Sequence, residues 1–301
     1  MIPLLIHTLY IDFVQGLTLR ASSPVLSTAS FPGTYHTAEQ LLAEIRVIAN
    51  TCMHEISADL DGLVPWVQIG PRSGRRSFVL AGEHARELVP SEVALSLIKT
   101  LCKQEILDQA WLVVPLANRG GRAKVEAGNF CWRANAGGVD LNRNWSGHVG
   151  NFRSSRETYG GPEAFSEAET RSLRDLVAKW NPEIFFSVHS GSEAVLVPWA
   201  AEGGKEISDR QQAKLQAAEP WRRRLCPRCA AGEALEVLRY ESPGTCLDWT
   251  MKNLKSLKVA LALEVYQGPE AAECKEFFNP DTPSDVAGRW TELILGVVSS
   301  N

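Results

Sequence analysis

Short apolar runs bounded by glycine, proline or polar residues alternate along this chain with stretches whose apolar residues fall at helical spacing. That alternation constrains the fold more than any other feature. Runs at 66–70, 76–81 and 111–116 read as strands, and Pro90 to Leu107, between the last two, has helical spacing with Pro90 in the first turn. Thr37-Ala38-Glu39-Gln40 reads as a capping box for a helix through about Cys52. Ser166-Glu167-Ala168-Glu169 reads as a second one, opening a helix to about Trp180. There follow a strand over 184–189, a short strand near 195–198, a long polar helix from Gly204 to Leu225, a strongly apolar strand from Lys258 to Val265 and a closing helix from Ser284 to Val298. Gly-Gly pairs at 120–121, 137–138, 160–161 and 203–204 mark loops. The expected class is α/β: a single-domain, mixed but mostly parallel twisted β-sheet covered by helices on both faces. No interior linker is visible, so one domain is expected over 34–301. A weakly structured segment, 1–33, precedes it, with Ser22-Ser23-Pro24 and Phe31-Pro32-Gly33 as breakers.

Composition narrows the partners. A formal net charge of −4 on 301 residues gives no sign of nucleic acid as a main partner. No apolar stretch reaches the ~18 residues a membrane span needs. Met1 to Val14 is apolar but contains His7 and Asp12 and lacks a basic start, which makes it a poor signal peptide. Seven cysteines leave one unpaired even if the rest bridge, and their spacing alone does not fix the redox compartment. Cys226-Pro227-Arg228-Cys229 has no second pair to complete a four-ligand zinc knuckle, so a local disulfide or two ordinary thiols is expected there.

His84 and Glu87 follow the apolar run that ends at Ala81, and His189 closes the run that begins at Ile184. Singly, a glutamate three residues after a histidine is more often a solvated pair than a metal site, and a lone histidine at a strand end is more often structural. Position changes the balance, because both histidines fall at the C-terminal ends of expected strands, the rim where open α/β sheets bind ligands. Two imidazoles and one carboxylate form a three-ligand zinc set with one coordination place open. Such an ion lowers the pKa of a water it holds to about 7, and a general base must sit nearby. Glu264 is the candidate, a carboxylate inside the apolar run Val259 to Val265 that is costly to bury unless used or paired.

The ordered motifs resemble those of the zinc metallocarboxypeptidases of the carboxypeptidase A/B type, from about Tyr35 to the C-terminus. They are Thr34-Tyr35-His36-Thr37, Glu83-His84-Ala85-Arg86-Glu87, Cys131-Trp132-Arg133, Gly138-Val139-Asp140-Leu141-Asn142-Arg143-Asn144-Trp145, Val188-His189-Ser190, Tyr240 ahead of Gly244, Asp248 and Trp249, and Glu264. The resemblance implies one zinc ion per chain on His84, Glu87 and His189, with Glu264 as the general base. It implies that Arg133 stabilises the oxyanion and that Asn142 and Arg143 hold the substrate's terminal carboxylate. Tyr240 is implied to close over the bound terminus, Arg86 to contact substrate further upstream, and Asp140 to fix the tautomer of His84. The implied substrates are the C-termini of peptides or proteins, in a secreted, extracellular setting, and a monomer is expected because no association motif is visible in the sequence.

Aligned with the family, Leu247 lies at the floor of the side-chain pocket and Ala262 on its wall, which implies release of an apolar or aromatic residue. Arg239 leaves an acidic terminal residue open if it turns inward. Two other functions stay in view: a zinc amidohydrolase of the same fold acting on small acylated amino acids, and an inactive peptide-binding homologue. The cysteines do not match the disulfide of the digestive relatives, because Ala136 and Ser155 lie near those places. Asn144-Trp145-Ser146 fits a glycosylation sequon but falls inside the motif that carries Asn142 and Arg143, so it is expected to be unmodified.

Overall fold

The computed structural model describes residues 31–71, 73–145, 156–201 and 208–300. Residues 1–30 of the expected N-terminal segment, Ser146 of the sequon, Ser155 and the Gly-Gly pair 203–204 lie outside the described residues. In chain order the elements are α1 (Ala38–Thr51), β1 (Ile56–Asp59), β2 (Trp66–Ile69), β3 (Arg76–Ala81), α2 (Val89–Lys103), β4 (Ala110–Val114) and α3 (Arg119–Glu126). They continue with α4 (Ala168–Trp180), β5 (Ile184–His189), β6 (Ser192–Val197), α5 (Ser208–Leu225), β7 (Ala230–Glu233) and α6 (Ala234–Leu238). The last are α7 (Cys246–Asn253), β8 (Val259–Tyr266), α8 (Cys274–Phe278) and α9 (Pro283–Ser299).

The strands form one eight-stranded sheet in the order β1-β2-β4-β3-β5-β8-β6-β7. The central strands β4, β3, β5 and β8 run parallel, β2 and β6 join them antiparallel, and the outermost pairs are antiparallel on one side (β1 with β2) and parallel on the other (β6 with β7). The expected mixed, mostly parallel sheet is thus present, with its antiparallel pairings confined to the flanks. Alternate residues of each central strand enter opposite layers. Val79, Ala81, Phe186, Val188, Leu261 and Leu263 pack with α1, α2 and α9, whereas Phe78, Leu80, Leu112 and Phe185 pack with α4 and α7. Burial on both faces is why these strands read as continuous apolar runs rather than alternating ones. Each large side chain so buried contributes about 2 kcal/mol.

The helix starts separate local from tertiary signals. At α1 the capping box forms: Thr37 Oγ1 accepts from the Gln40 amide at 3.2 Å, and Gln40 Oε1 accepts from the Thr37 amide at 2.9 Å. At α4 it does not. The N-cap is Glu167, with no side-chain cap, because Ser166 Oγ is engaged by Asn144 Nδ2 and by Glu167 Oε1, each at 2.8 Å. Gly120 and Gly121 lie in the first turn of α3, not in a loop. A Cβ on Gly121 would stand 2.3 Å from the Ala134 carbonyl, so the glycine permits a close approach inside a helix. Sequence patterns gave no sign of β1 and β7, nor of the short helices α3, α6, α7 and α8. β1 is exposed along three of its four residues and is held by pairing with β2. The polar helix expected from Gly204 begins, among the described residues, at Ser208.

Three disulfides are formed among the described residues: Cys52–Cys102, Cys131–Cys274 and Cys226–Cys229. Cys246 is the odd thiol, and it is buried. The Cys226–Cys229 pair is therefore the local bridge.

Candidate metal centre and substrate cleft

β3 and β5 are parallel neighbours, so the chain leaves both at the same rim, and β8 brings Glu264 opposite His189 in the ladder. Gly82, at φ +71°, turns the chain out of β3, and a Cβ there would press on the Leu116 backbone at 3.1 Å. The turn that follows is closed by Glu87 N donating to His84 O at 3.2 Å and anchored by Ala85 N donating to Arg133 O at 2.9 Å. His84 and Glu87 are thereby brought over the rim to meet His189, and the exposure of these three residues is 4%, 3% and 4%.

The separations within this set fit one small ion. His84 Nδ1 lies 2.8 Å from Glu87 Oε1, His189 Nδ1 lies 3.2 Å from His84 Nδ1, and Glu87 Oε2 lies 3.3 Å from His189 Nδ1. The edge of a zinc tetrahedron with bonds of 2.0–2.1 Å is about 3.3 Å. The Ser190 amide donates to Glu87 Oε2 at 3.1 Å and fixes the carboxylate. Among the described residues this is the group of His, Cys, Asp and Glu side chains close enough together to hold a metal ion.

Behind the set stands a charge ladder. His84 Nε2 donates to Asp140 Oδ1 at 3.1 Å, Arg133 Nε donates to Asp140 Oδ2 at 2.9 Å, and Arg133 Nη1 reaches Glu87 Oε1 at 3.4 Å. Burial opposes the charge on Asp140, but Arg133, His84 and Arg143 outweigh it and hold the carboxyl well below the usual range. Burial likewise opposes the charge on Arg133, and Asp140 and Glu87 outweigh it and push its pKa up. Glu264 differs. Burial pushes its carboxyl up and Glu87 adds to the rise, more than His189, His84 and Arg133 pull it down.

Of the residues nominated from sequence, all but Asp140 and Arg239 line one cavity of about 340 Å³. Arg143 donates to the Asn142 carbonyl at 2.7 Å and to Ser242 Oγ at 3.0 Å. Asn142 accepts from the Cys246 amide at 2.9 Å, and its Nδ2 lies 3.3 Å from His189 Nε2. Tyr240, 54% exposed, stands at the mouth. Leu247 is buried at the N-terminal turn of α7, beside Ala262, Leu196 and Ala234. Arg239 caps α6 in a left-handed conformation, is exposed, and does not line the cavity. Arg86 lies over the Phe278 ring at 4.2 Å and reaches Cys131 O and Glu157 Oε2, each at 3.3 Å. Asp248 turns away from the cavity, accepting from the Ala200 amide at 3.0 and 3.1 Å, and burial pushes its carboxyl up to about 7. Asn144 is fully buried, and its Nδ2 donates to Gly160 O, Glu163 O and Ser166 Oγ, which leaves no space for a glycan.

Several contributors were not nominated from sequence. Ser242 holds Arg143, Phe277 and Phe278 wall the cavity, and Glu83 and Ser187 lie behind His189. Only Glu83 had a local signal, a charged residue between an apolar run and a nominated ligand. A larger cavity, about 510 Å³, lies between α2 and α9, and among the described residues no group able to hold a metal lines it.

A family model described as Peptidase_M14, zinc carboxypeptidase, matches residues 66–292. The chain is 29% identical over 262 residues to zinc carboxypeptidase A 1 of Anopheles gambiae, covering 77% of this chain and 60% of that protein. It is 25% identical over 256 residues to carboxypeptidase A2 of Mus musculus, covering 72% and 59%. The chain thus spans about three fifths of the length of these curated relatives. In fold it is similar to the crystal structure of carboxypeptidase A from Helicoverpa armigera, with a TM-score of 0.71 at 21% identity, covering 88% of this chain and 73% of that one. It is equally similar to bovine thrombin-activatable fibrinolysis inhibitor in complex with tick carboxypeptidase inhibitor, with a TM-score of 0.71 at 19% identity, covering 88% and 96%.

Proposed function

Because the chain belongs to the zinc carboxypeptidase family, we propose that it hydrolyses the last peptide bond of peptides or proteins and releases one C-terminal residue, most readily an apolar or aromatic one. The observation that carries this reading is the single cavity shared by His84, Glu87, His189, Glu264, Arg133 and Arg143. His84, Glu87 and His189 hold one zinc ion, which when bound supplies Lewis-acid polarisation and a more acidic water.

The chain's own groups do the rest. Glu264 takes a proton from the attacking water and delivers it to the departing amine nitrogen as the C–N bond breaks. Arg133, fixed by Asp140, donates to the carbonyl oxygen as negative charge gathers there. Arg143, with Asn142 beside it, pairs with the terminal carboxylate, and a planar guanidinium matches that group at two points. A cation fixed beyond the site of attack favours chains that end there. Tyr240 closes over the terminus from the mouth, Arg86 contacts residues upstream, and Asp140 keeps His84 in one tautomer.

Leu247 and its small apolar neighbours support the preference for apolar side chains, and the outward position of Arg239 counts against an acidic one. One chain carries the whole site, which supports action as a monomer. The three disulfides support an extracellular setting. The test is hydrolysis of N-blocked dipeptides by zinc-loaded protein, each with a free and an amidated C-terminus. Cleavage of the free acids alone is expected. No cleavage across apolar, basic and acidic C-termini sinks the proposal.

A further inference from the structure

Glu83 is a carboxylate at 1% exposure, adjacent in sequence to His84, and the chemistry above makes no use of it. Its two oxygens face different ways. Oε1 accepts from Trp145 Nε1 at 3.1 Å, an anchor to the core. Oε2 instead faces a polar cluster: Ser187 Oγ and Cys246 Sγ, each at 3.4 Å, and His189 Nε2 at 3.7 Å. Anchoring Trp145 explains one oxygen and leaves the other to the metal side.

The tautomer of His189 sets the direction of these bonds. Its Nδ1 is the atom that meets His84 and Glu87, so with Nδ1 on a metal the proton must reside on Nε2. The nearest acceptor to Nε2 is Ser187 Oγ, at 2.7 Å. The other neighbour, Asn142 Nδ2, is a donor, and its partner oxygen is taken by the Cys246 amide. Ser187 and His189 are two apart on β5 and therefore share a face of the strand. Having accepted from His189, the Ser187 hydroxyl must donate onward. Cys246 offers no carboxylate. Its thiol is pushed up in pKa by burial and by Glu83, so it stays a donor. The remaining acceptor is Glu83 Oε2.

We infer that Glu83, acting through Ser187, is a positioning residue for His189, the counterpart of Asp140 behind His84. The two imidazoles are then each backed by a carboxylate, one directly and one through a hydroxyl, and each is held with Nδ1 toward the metal. The inference rests on zinc binding by His84, Glu87 and His189. Glu83 does not line the cavity; Ser187 does, beside His189. Their effect is on ring orientation and on the basicity of Nδ1, and so on metal affinity.

The experiment is a chelator-competition titration of zinc against metal-free protein, for wild type, Ser187→Ala, Glu83→Ala, Glu83→Gln and the Ser187→Ala/Glu83→Ala double variant. Visible spectra of the cobalt(II) forms accompany it. Ser187→Ala and Glu83→Ala are expected to weaken zinc binding about 10- to 100-fold. The double variant is expected to be no weaker than the worse single one, because both break the same relay. Glu83→Gln, which keeps an acceptor oxygen, is expected to lose less. The cobalt bands are expected to shift in Ser187→Ala, a signature that a loss of packing alone does not produce. Ser187→Ala also guards against misfolding of Glu83→Ala, since it removes one hydroxyl. Wild-type affinity and an unshifted spectrum in Ser187→Ala overturn the relay alone. Failure of wild type to take up zinc overturns the relay together with the metal reading it rests on.

Discussion

Glu264 stands directly opposite His189 in the ladder between β5 and β8, so the carboxylate and the imidazole emerge side by side from two hydrogen-bonded strands. Their spacing is set by backbone pairing and not by loops. In-register neighbours of parallel strands point to the same face. A carboxylate held this way stands beside His189 without any rearrangement of loops.

Replacing Glu264 with Gln keeps the shape of that space and removes the proposed base. Turnover is expected to fall about 10²- to 10⁴-fold with KM little changed. Zinc content, measured on the same sample, is expected to stay at one per chain. Full activity in Glu264→Gln assigns the base elsewhere.

Removing the metal is expected to abolish hydrolysis, and zinc is expected to restore it. The same addition raises unfolding stability by mass action, about 4 kcal/mol at a free zinc concentration a thousand times Kd. Unfolding curves with and without chelator measure this. Coincident curves show that the described set holds no ion.

Arg143→Ala removes the cation proposed to hold the terminal carboxylate of a substrate. Losing one partner of such a buried pair costs about 2–5 kcal/mol, so kcat/KM on free-acid substrates is expected to drop at least about 30-fold. Amidated substrates, already poor, are expected to change little, so the ratio between the two series collapses. A ratio equal to that of wild type removes Arg143 from carboxylate recognition.

Leu247→Asp places a charge on the floor of an apolar pocket. Its kcat/KM for a C-terminal phenylalanine is expected to fall and that for a C-terminal lysine to rise. The preference should move by about 10-fold or more, since hydrogen bonds to charged groups are worth about 1.5–3 kcal/mol each. Paired assays on the two substrates decide it, and an unchanged ratio moves the specificity pocket away from Leu247.

Asp248 ties stability to pH. Its carboxyl is pushed from the ordinary 3.8 up to about 7 by burial. Between these values the folded chain holds a proton that the unfolded chain has released, so stability is full below about 4 and falls as pH rises toward 7. The difference converts to about 4 kcal/mol, which solvent contact at this partly accessible group reduces to about 2. Urea unfolding at pH 4 and pH 8 is expected to show that loss in wild type but not in Asp248→Asn. An equal loss between the two pH values in both proteins refutes the assignment.

The parts of this fold legible in sequence are those whose cause is local or is repeated along an element. β3 and β5 read as strands because both faces are buried, and α1 reads from its own capping box. Ser166 misled because its hydroxyl answers to Asn144, a partner 22 residues away. Gly120-Gly121 misled because the demand for glycine comes from Ala134, on a neighbouring loop. His84, Glu87 and His189 converge because they sit at or shortly past the ends of β3 and β5, and Glu264 joins them from β8, whereas Arg133, Asn142, Arg143, Tyr240 and Leu247 lie in loops and helix turns and were legible only through their ordered motifs. Ser187 and Glu83 escaped notice for the opposite reason. A serine inside a strand and a glutamate beside a histidine acquire meaning only when β3 and β5 are laid next to each other.

The Cys131–Cys274 bridge joins the loop that carries Arg133 to the helix that carries Phe278, across 143 residues of sequence. Arg133, Asp140, Asn142, Arg143, His189, Tyr240, Leu247 and Glu264 all lie within the covalent ring so formed, while His84 and Glu87 lie outside it. One backbone cut anywhere inside the ring opens it without dividing the chain. A protein nicked there therefore stays a single molecule, with the Arg133 loop still fastened to the wall of the cleft.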